Sequence, residues 1–177
     1  MSIRRILFIL AALVVAGFGV YNFIAYSERL TPATNLAGET IGGVKLHDHI
    51  TDSHLLKQYG SPLSQDDNEL YDYYHWKGGL VTASVHSGPD EGDIMRIMIT
   101  PADTNRSDDP LHTAFGIGLG DSKQSVLDLY GTKYYKSNEQ TADIIGYIDH
   151  KLGITLEFWC DPSGTVAEIR LDDVSMR

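Results

Sequence analysis

The rhythm of apolar and polar positions divides this chain into stretches of different kind. Ile6 to Tyr21 is an unbroken apolar run, and beyond Asn22 it resumes as Phe23-Ile24-Ala25-Tyr26. Twenty helical residues at about 1.5 Å each reach about 30 Å, the thickness of a hydrocarbon core. The run therefore predicts a transmembrane signal anchor within residues 1–26, spanning 6–26. Arg4 and Arg5 precede it, which places the N-terminus in the cytoplasm and the rest of the chain outside. The competing reading is a cleaved signal peptide ending at the small residues Val14 and Ala16, but cleavage there would leave some ten mostly apolar residues exposed. Residues 27–39 (SERLTPATNLAGE) then lose all hydrophobic periodicity and read as a short tether.

From residue 40 onward helical and strand periods alternate, and the same order of elements occurs twice. The first series is IGGVKL, a helix ending LLKQYG, then LYDYYHWKGGLVTASV and GDIMRIMI. The second is FGIGLG, a helix ending VLDLYG, then DIIGYIDHKLGITLEF and GTVAEIRL. Each helix has a cap (Thr51 or Asp52; Asp121 or Ser122) and stops at a glycine, Gly60 or Gly131. Gln124 is placed to complete a capping box with Asp121. The apolar stripes are Leu55, Leu56, Tyr59 and Val126, Leu129, Tyr130. Strands are predicted at 70–76, 80–85 and 94–99, and again at 144–148, 154–159 and 166–171, with short leading strands at 44–46 and 117–119. The expected fold is α+β, an N-terminal transmembrane helix followed by two tandem helix-plus-antiparallel-meander repeats. Repeat 1 occupies 40–100 and repeat 2 occupies 114–177, linked by the polar segment 101–113.

Charge sharpens the division. Residues 1–25 contain two arginines and no acid, so the remainder carries 12 basic and 24 acidic side chains of the total of 14 and 24. Such an acidic body is unsuited to nucleic acid, whose phosphates need a basic face. A single cysteine, Cys160, excludes a disulfide scaffold.

The segment Ile117–Gly131 (IGLGDSKQSVLDLYG) and the meander after it resemble the repeat of the β-lactamase-inhibitor-protein-like superfamily and the related SmpA/OmlA (BamE) envelope domains. Gly60-Ser61-Pro62 matches their helix-ending Gly-x-Pro. The resemblance implies an extracytoplasmic binding or assembly module without catalytic residues. This chain departs from those families in lacking both a lipidated cysteine and disulfides, so the fold idea alone is carried over.

The chemistry-bearing residues form several groups. His47-Asp48-His49, with Asp52 and His54, would aim imidazoles to one side if 47–49 were a strand, making His47, His49 and His54 weak metal candidates. No HExxH spacing supports them, and surface histidines beside a capping aspartate account for the segment as well, so no metal or other cofactor is expected. The acids Asp66, Asp67, Glu69, Asp72 and Asp90, Glu91, Asp93 fall in predicted turns, where carboxylates bond to local backbone. Cys160 ends an alternating strand. Tyr71, Tyr73 and His75 share one face of an aromatic strand and are the candidate binding residues, with Tyr74 and Trp76 on the other face. The expected function is a membrane-anchored extracytoplasmic, non-catalytic binding or envelope-assembly module, partnered by the membrane and an envelope protein. A secreted or anchored hydrolase using carboxylates or the histidine cluster is the alternative.

Overall fold

The protein is described here from a computed structural model, over residues 28–101, 110–139 and 141–176. It divides into two units, Met1–Thr31 and Pro32–Arg177. In the first, residues 28–30 form a helical turn and the Thr31 amide donates to the Glu28 carbonyl at 3.1 Å. The expected membrane span, 6–26, lies outside the described residues. Among the described residues no helix is long and apolar enough to cross a membrane.

The second unit contains α1 (Ser53–Tyr59), β1 (Ser64–Asp67), β2 (Tyr71–His75), β3 (Leu80–Val85), β4 (Ile94–Ile99), α2 (Lys123–Tyr130), β5 (Tyr135–Glu139), β6 (Ala142–Asp149), β7 (Ile154–Cys160) and β8 (Val166–Asp173). The expected α+β class, with a membrane helix and two tandem helix-plus-meander repeats, is corrected by this arrangement. All eight strands join one antiparallel sheet in the order β1-β2-β3-β4-β8-β7-β6-β5, and helix accounts for only 17% of the described residues. The reason lies in β4 and β8. Each would be an edge strand if its neighbours formed a separate sheet, and each is rich in β-branched and aliphatic side chains. An exposed apolar edge with unpaired amides is costly, and pairing the two strands removes both edges at once. Ile97 sits opposite Leu171 and Ile99 opposite Ile169 at this seam.

Both helices cover the same face. Asp52 caps α1, its Oδ1 accepting from the His54 amide at 2.6 Å, and Ser122 caps α2, its Oγ accepting from the Ser125 amide at 3.1 Å. The capping box expected from Gln124 does not form; its side-chain amide donates to Asp128 instead. Leu55, Tyr59 and Val126 are buried, whereas Leu56 and Leu129 are 41% and 50% exposed. Helices of seven and eight residues offer the sheet only a narrow stripe, so the flanking leucines fall off it. Tyr130 packs on Phe158 and Tyr147, with ring centroids 5.2 and 5.3 Å away, and the Tyr147 hydroxyl donates to the Gly131 carbonyl at 2.7 Å. The leading strands expected at 44–46 and 117–119 are reduced to isolated bridges, such as Ile41 with Val44 and His112 with Gly118.

Polar anchors fasten the residues before α1 to this body. Glu39 is buried and accepts from the Tyr130 hydroxyl at 2.9 Å and the Ala114 amide at 2.7 Å. Asp149, at the end of β6, accepts from the amides of Leu36, Lys151 and Leu152 at 3.0–3.1 Å. Burial alone would raise the Asp149 carboxyl, but these backbone donors outweigh it and hold it below the ordinary 3.8. A carboxylate with a depressed folded-state pKa stabilises the fold above its unfolded value and loses that contribution as pH falls through the folded one. Asp149→Asn is therefore expected to lower the thermal midpoint at pH 7 and to flatten its decline below pH 4, measured by circular dichroism across an acid series. An unchanged acid profile would count against the anchor.

Candidate functional site

The site is built on the sheet face turned away from α1 and α2. Side chains alternate along a strand, so with Tyr74 and Trp76 directed to the core, Tyr71, Tyr73 and His75 share the opposite face. Their cross-strand partners on β3 are Val85, Ala83 and Val81. Ala83 is small and places little bulk beside Tyr73. On its other side Ala83 faces Arg96 of β4, which in turn pairs with Asp172 of β8. Four successive strands thus carry a tyrosine, an alanine, an arginine and an aspartate across the sheet.

Arg96 and Asp172 form a two-pronged ion pair. Nε donates to Oδ1 at 2.8 Å and Nη2 donates to Oδ2 at 2.6 Å, with side chains 17% and 3% exposed. Burial works against the guanidinium charge, but Asp172 outweighs it and holds Arg96 above its ordinary value. The pair fixes the plane of the guanidinium, as a fork-to-fork geometry does. Beside it an open groove of about 450 Å³ is lined by Asn68, Glu69, Leu70, Tyr71, Tyr73, Arg96 and Met176. That volume is within the range of small-molecule sites. The β1–β2 turn shapes one wall, because Asn68 Oδ1 accepts from the amides of Leu70 and Tyr71 at 2.9 and 2.8 Å. Leu70 is consequently held out, 68% exposed, at the rim.

Of the three predicted binding residues, Tyr71 and Tyr73 line this groove. His75 does not; it turns to Asp66 on the neighbouring strand, 3.2 Å away. Arg96, Asn68, Glu69 and Met176 were not singled out as partners of the tyrosines. Asn68 and Glu69 belong to the β1–β2 turn, Arg96 to β4 and Met176 to the turn after β8, and strand pairing brings these elements together.

Further along the same face lies a second polar group. Glu157 accepts from the Tyr135 hydroxyl at 2.7 Å and from Trp159 Nε1 at 3.0 Å, and the Arg170 guanidinium lies 3.8 Å from the Trp159 ring centroid. The Tyr135 ring crosses Gly146, where a Cβ would fall 1.9 Å from its Cζ. Glycine is required there so that the tyrosine can reach Glu157. Arg170 also pairs with Glu168. These contacts tie β5, β7 and β8 together on the same face as the groove.

The weak metal candidates do not meet. Residue 47 has φ +66° within a turn, so 47–49 is no strand and its side chains diverge. His47 Nε2 bonds Asp173 at 2.9 Å, and His49 lies against Thr51 Oγ1 at 2.7 Å and the Glu91 carbonyl at 3.1 Å. Among the described residues, Asp67, Asp72 and His86 are the group whose ligand atoms lie within 4.8 Å of one another. Asp72 bonds His86 Nδ1 at 2.9 Å, and this contact raises the imidazole above its ordinary value. Cys160 is buried, and burial raises its thiol further, the opposite of what a nucleophile needs.

No protein-family model matches the chain, and no curated protein matches its sequence. Two solved structures align with part of the chain. One is a DUF4309 family protein of Bacillus subtilis, at 16% identity and a TM-score of 0.43, over 74% of this chain and 82% of that one. The other is an extracellular protein containing an SCP domain from Bacillus anthracis, at 9% identity and a TM-score of 0.39, over 76% of this chain. The chain matches about half (48%) of that second protein.

Proposed function

We propose that this chain is a non-catalytic binding module of the cell envelope, held at the membrane by its apolar residues 6–26 and working outside the cytoplasm. The observation that carries the reading is the groove in which Tyr71 and Tyr73 stand beside a guanidinium locked by Asp172. Half-buried tyrosines offer apolar area with a polar tip and lose little entropy on contact, which suits recognition. The location rests on the sequence: an apolar run long enough for a bilayer, preceded by two arginines, and an acidic remainder. The likeness of Ile117–Gly131 to envelope-domain repeats points the same way. Glycoside hydrolysis by a carboxylate pair would call for two carboxylates converging on a cleft. The groove contains one, Glu69, while Asp172 is committed to Arg96.

The test is site-specific photocrosslinking in living cells. A benzophenone side chain at position 71 should give a covalent adduct, and the same group at exposed position 129 on α2 should give none. Equal adducts from both positions, or none from position 71, would refute the groove as a binding site.

A further inference from the structure

The donor and acceptor inventory of the groove narrows what it binds. Asp172 occupies Nε and Nη2 of Arg96, and among the described residues Nη1 has no partner, which leaves its two N–H donors available in a side chain that lines the groove. Asn68 spends its Oδ1 on the amides of Leu70 and Tyr71, leaving its side-chain amide as a donor. Glu69 supplies acceptors, and the hydroxyls of Tyr71 and Tyr73 both donate and accept. Donors and acceptors are therefore interleaved within one groove rather than segregated.

Charge decides between ligand classes. The Arg96 cation is offset by Asp172, so Glu69 is the uncompensated charge among the lining residues, and the chain as a whole is strongly acidic. An anionic ligand finds no net positive charge here. A strongly cationic one would expect several converging carboxylates, and one lines the groove. What remains is a neutral molecule that both gives and takes hydrogen bonds at each position and presents an apolar face to an aromatic ring. A polyhydroxylated ring has these properties: its hydroxyls are paired donor–acceptors, and its C–H face packs on a phenol.

We infer that the groove binds a neutral saccharide, with Tyr71 and Tyr73 as the packing surface and Arg96 Nη1, Asn68 and Glu69 as the groups that orient it. This rests on the binding-module reading above and gives it a ligand class. Leu70 and Met176 add apolar lining to the groove.

The experiment uses the full chain in lipid nanodiscs, which avoids sugar-headed detergents. Maltotriose, cellotriose and chitotriose are the probes, with trigalacturonate as the anionic comparison, read by saturation-transfer difference spectroscopy and calorimetry. At least one neutral trisaccharide should bind, trigalacturonate should bind about tenfold more weakly or not at all, and Tyr71→Ala should weaken binding about tenfold. Tyr73→Phe, which retains the ring, should weaken it only about threefold, and Leu129→Ala on α2 should leave it unchanged. Unaltered thermal midpoints confirm that the variants are folded. Absence of transfer to every neutral probe at about 10 mM, or tighter binding of trigalacturonate, overturns the saccharide assignment. A protein adduct from position 71 with no saccharide binding overturns it too, while leaving the groove as a binding site.

Discussion

Replacing Asp172 with Ala is expected to lower the unfolding free energy by about 3–5 kcal/mol, because it strands a largely buried guanidinium. The cost comes from what remains. Arg96 sits on β4 in the middle of the sheet, and without Asp172 its Nε and Nη2 donors lose the acceptor that offsets their burial. The double variant Arg96→Met with Asp172→Leu should recover most of the loss, since well-packed apolar residues replace a buried pair at little cost. Urea denaturation of the three proteins checks both statements. A single-variant loss below about 1 kcal/mol would mean that water reaches the pair and that it contributes as a surface bridge does.

The second large effect is in the core. Phe158→Ala is expected to cost about 3–5 kcal/mol, for lost transfer energy and the cavity left behind. Phe158 is fully buried, meets the Tyr130 ring at 5.2 Å and meets Tyr147 edge-on at 6.2 Å. Tyr130 packs α2 on the sheet together with the buried Val126, so loss of Phe158 loosens the helix as well as emptying a space. The near-ultraviolet circular dichroism of the tyrosines should fall alongside the denaturation midpoint. A cost under about 1.5 kcal/mol would show that Tyr130 and Tyr147 collapse into the gap.

Much of this architecture was legible in the pattern of apolar residues, for a physical reason. Five of the eight strands (β3, β4, β6, β7 and β8) bury at least one face and so alternate or run apolar, Ile94–Ile99 and Ile154–Cys160 among them, while Tyr71–His75 is half-buried throughout and is betrayed by its aromatic residues. The two that were missed, Ser64–Asp67 and Tyr135–Glu139, are the outer strands of the sheet, with sequences SQDD and YKSNE. A polar edge strand carries almost no hydrophobic signal, because its role is to end the sheet without inviting another. The merging of the strands into one sheet was hidden for a different reason. The alternation of Ile97 and Ile99 is the same whether their strand ends a sheet or continues it into β8, so local pattern cannot choose between the two.

The site was half visible. Period-two alternation was enough to put Tyr71 and Tyr73 together. Arg96 and Met176, roughly 25 and 105 residues further on, join them only through the pairing of β2, β3, β4 and β8 and the turn that follows β8. His47 and His49 failed as a pair because a left-handed residue broke the strand that would have aligned them.

The position of β8 also dictates an order of events during synthesis. It is the last strand in the chain and yet lies between β4 and β7. Until Val166–Asp173 has left the ribosome, both neighbours present bare amides and aliphatic side chains, and no earlier strand takes that place. Closing the sheet requires β4 to find a partner about 70 residues away, the kind of distant pairing that slows folding. The nascent protein therefore passes through a window in which two half-sheets coexist with sticky borders, exposed to association with other chains. Arg96 has no Asp172 to hold it until that window ends, so the groove is completed in the same step as the fold.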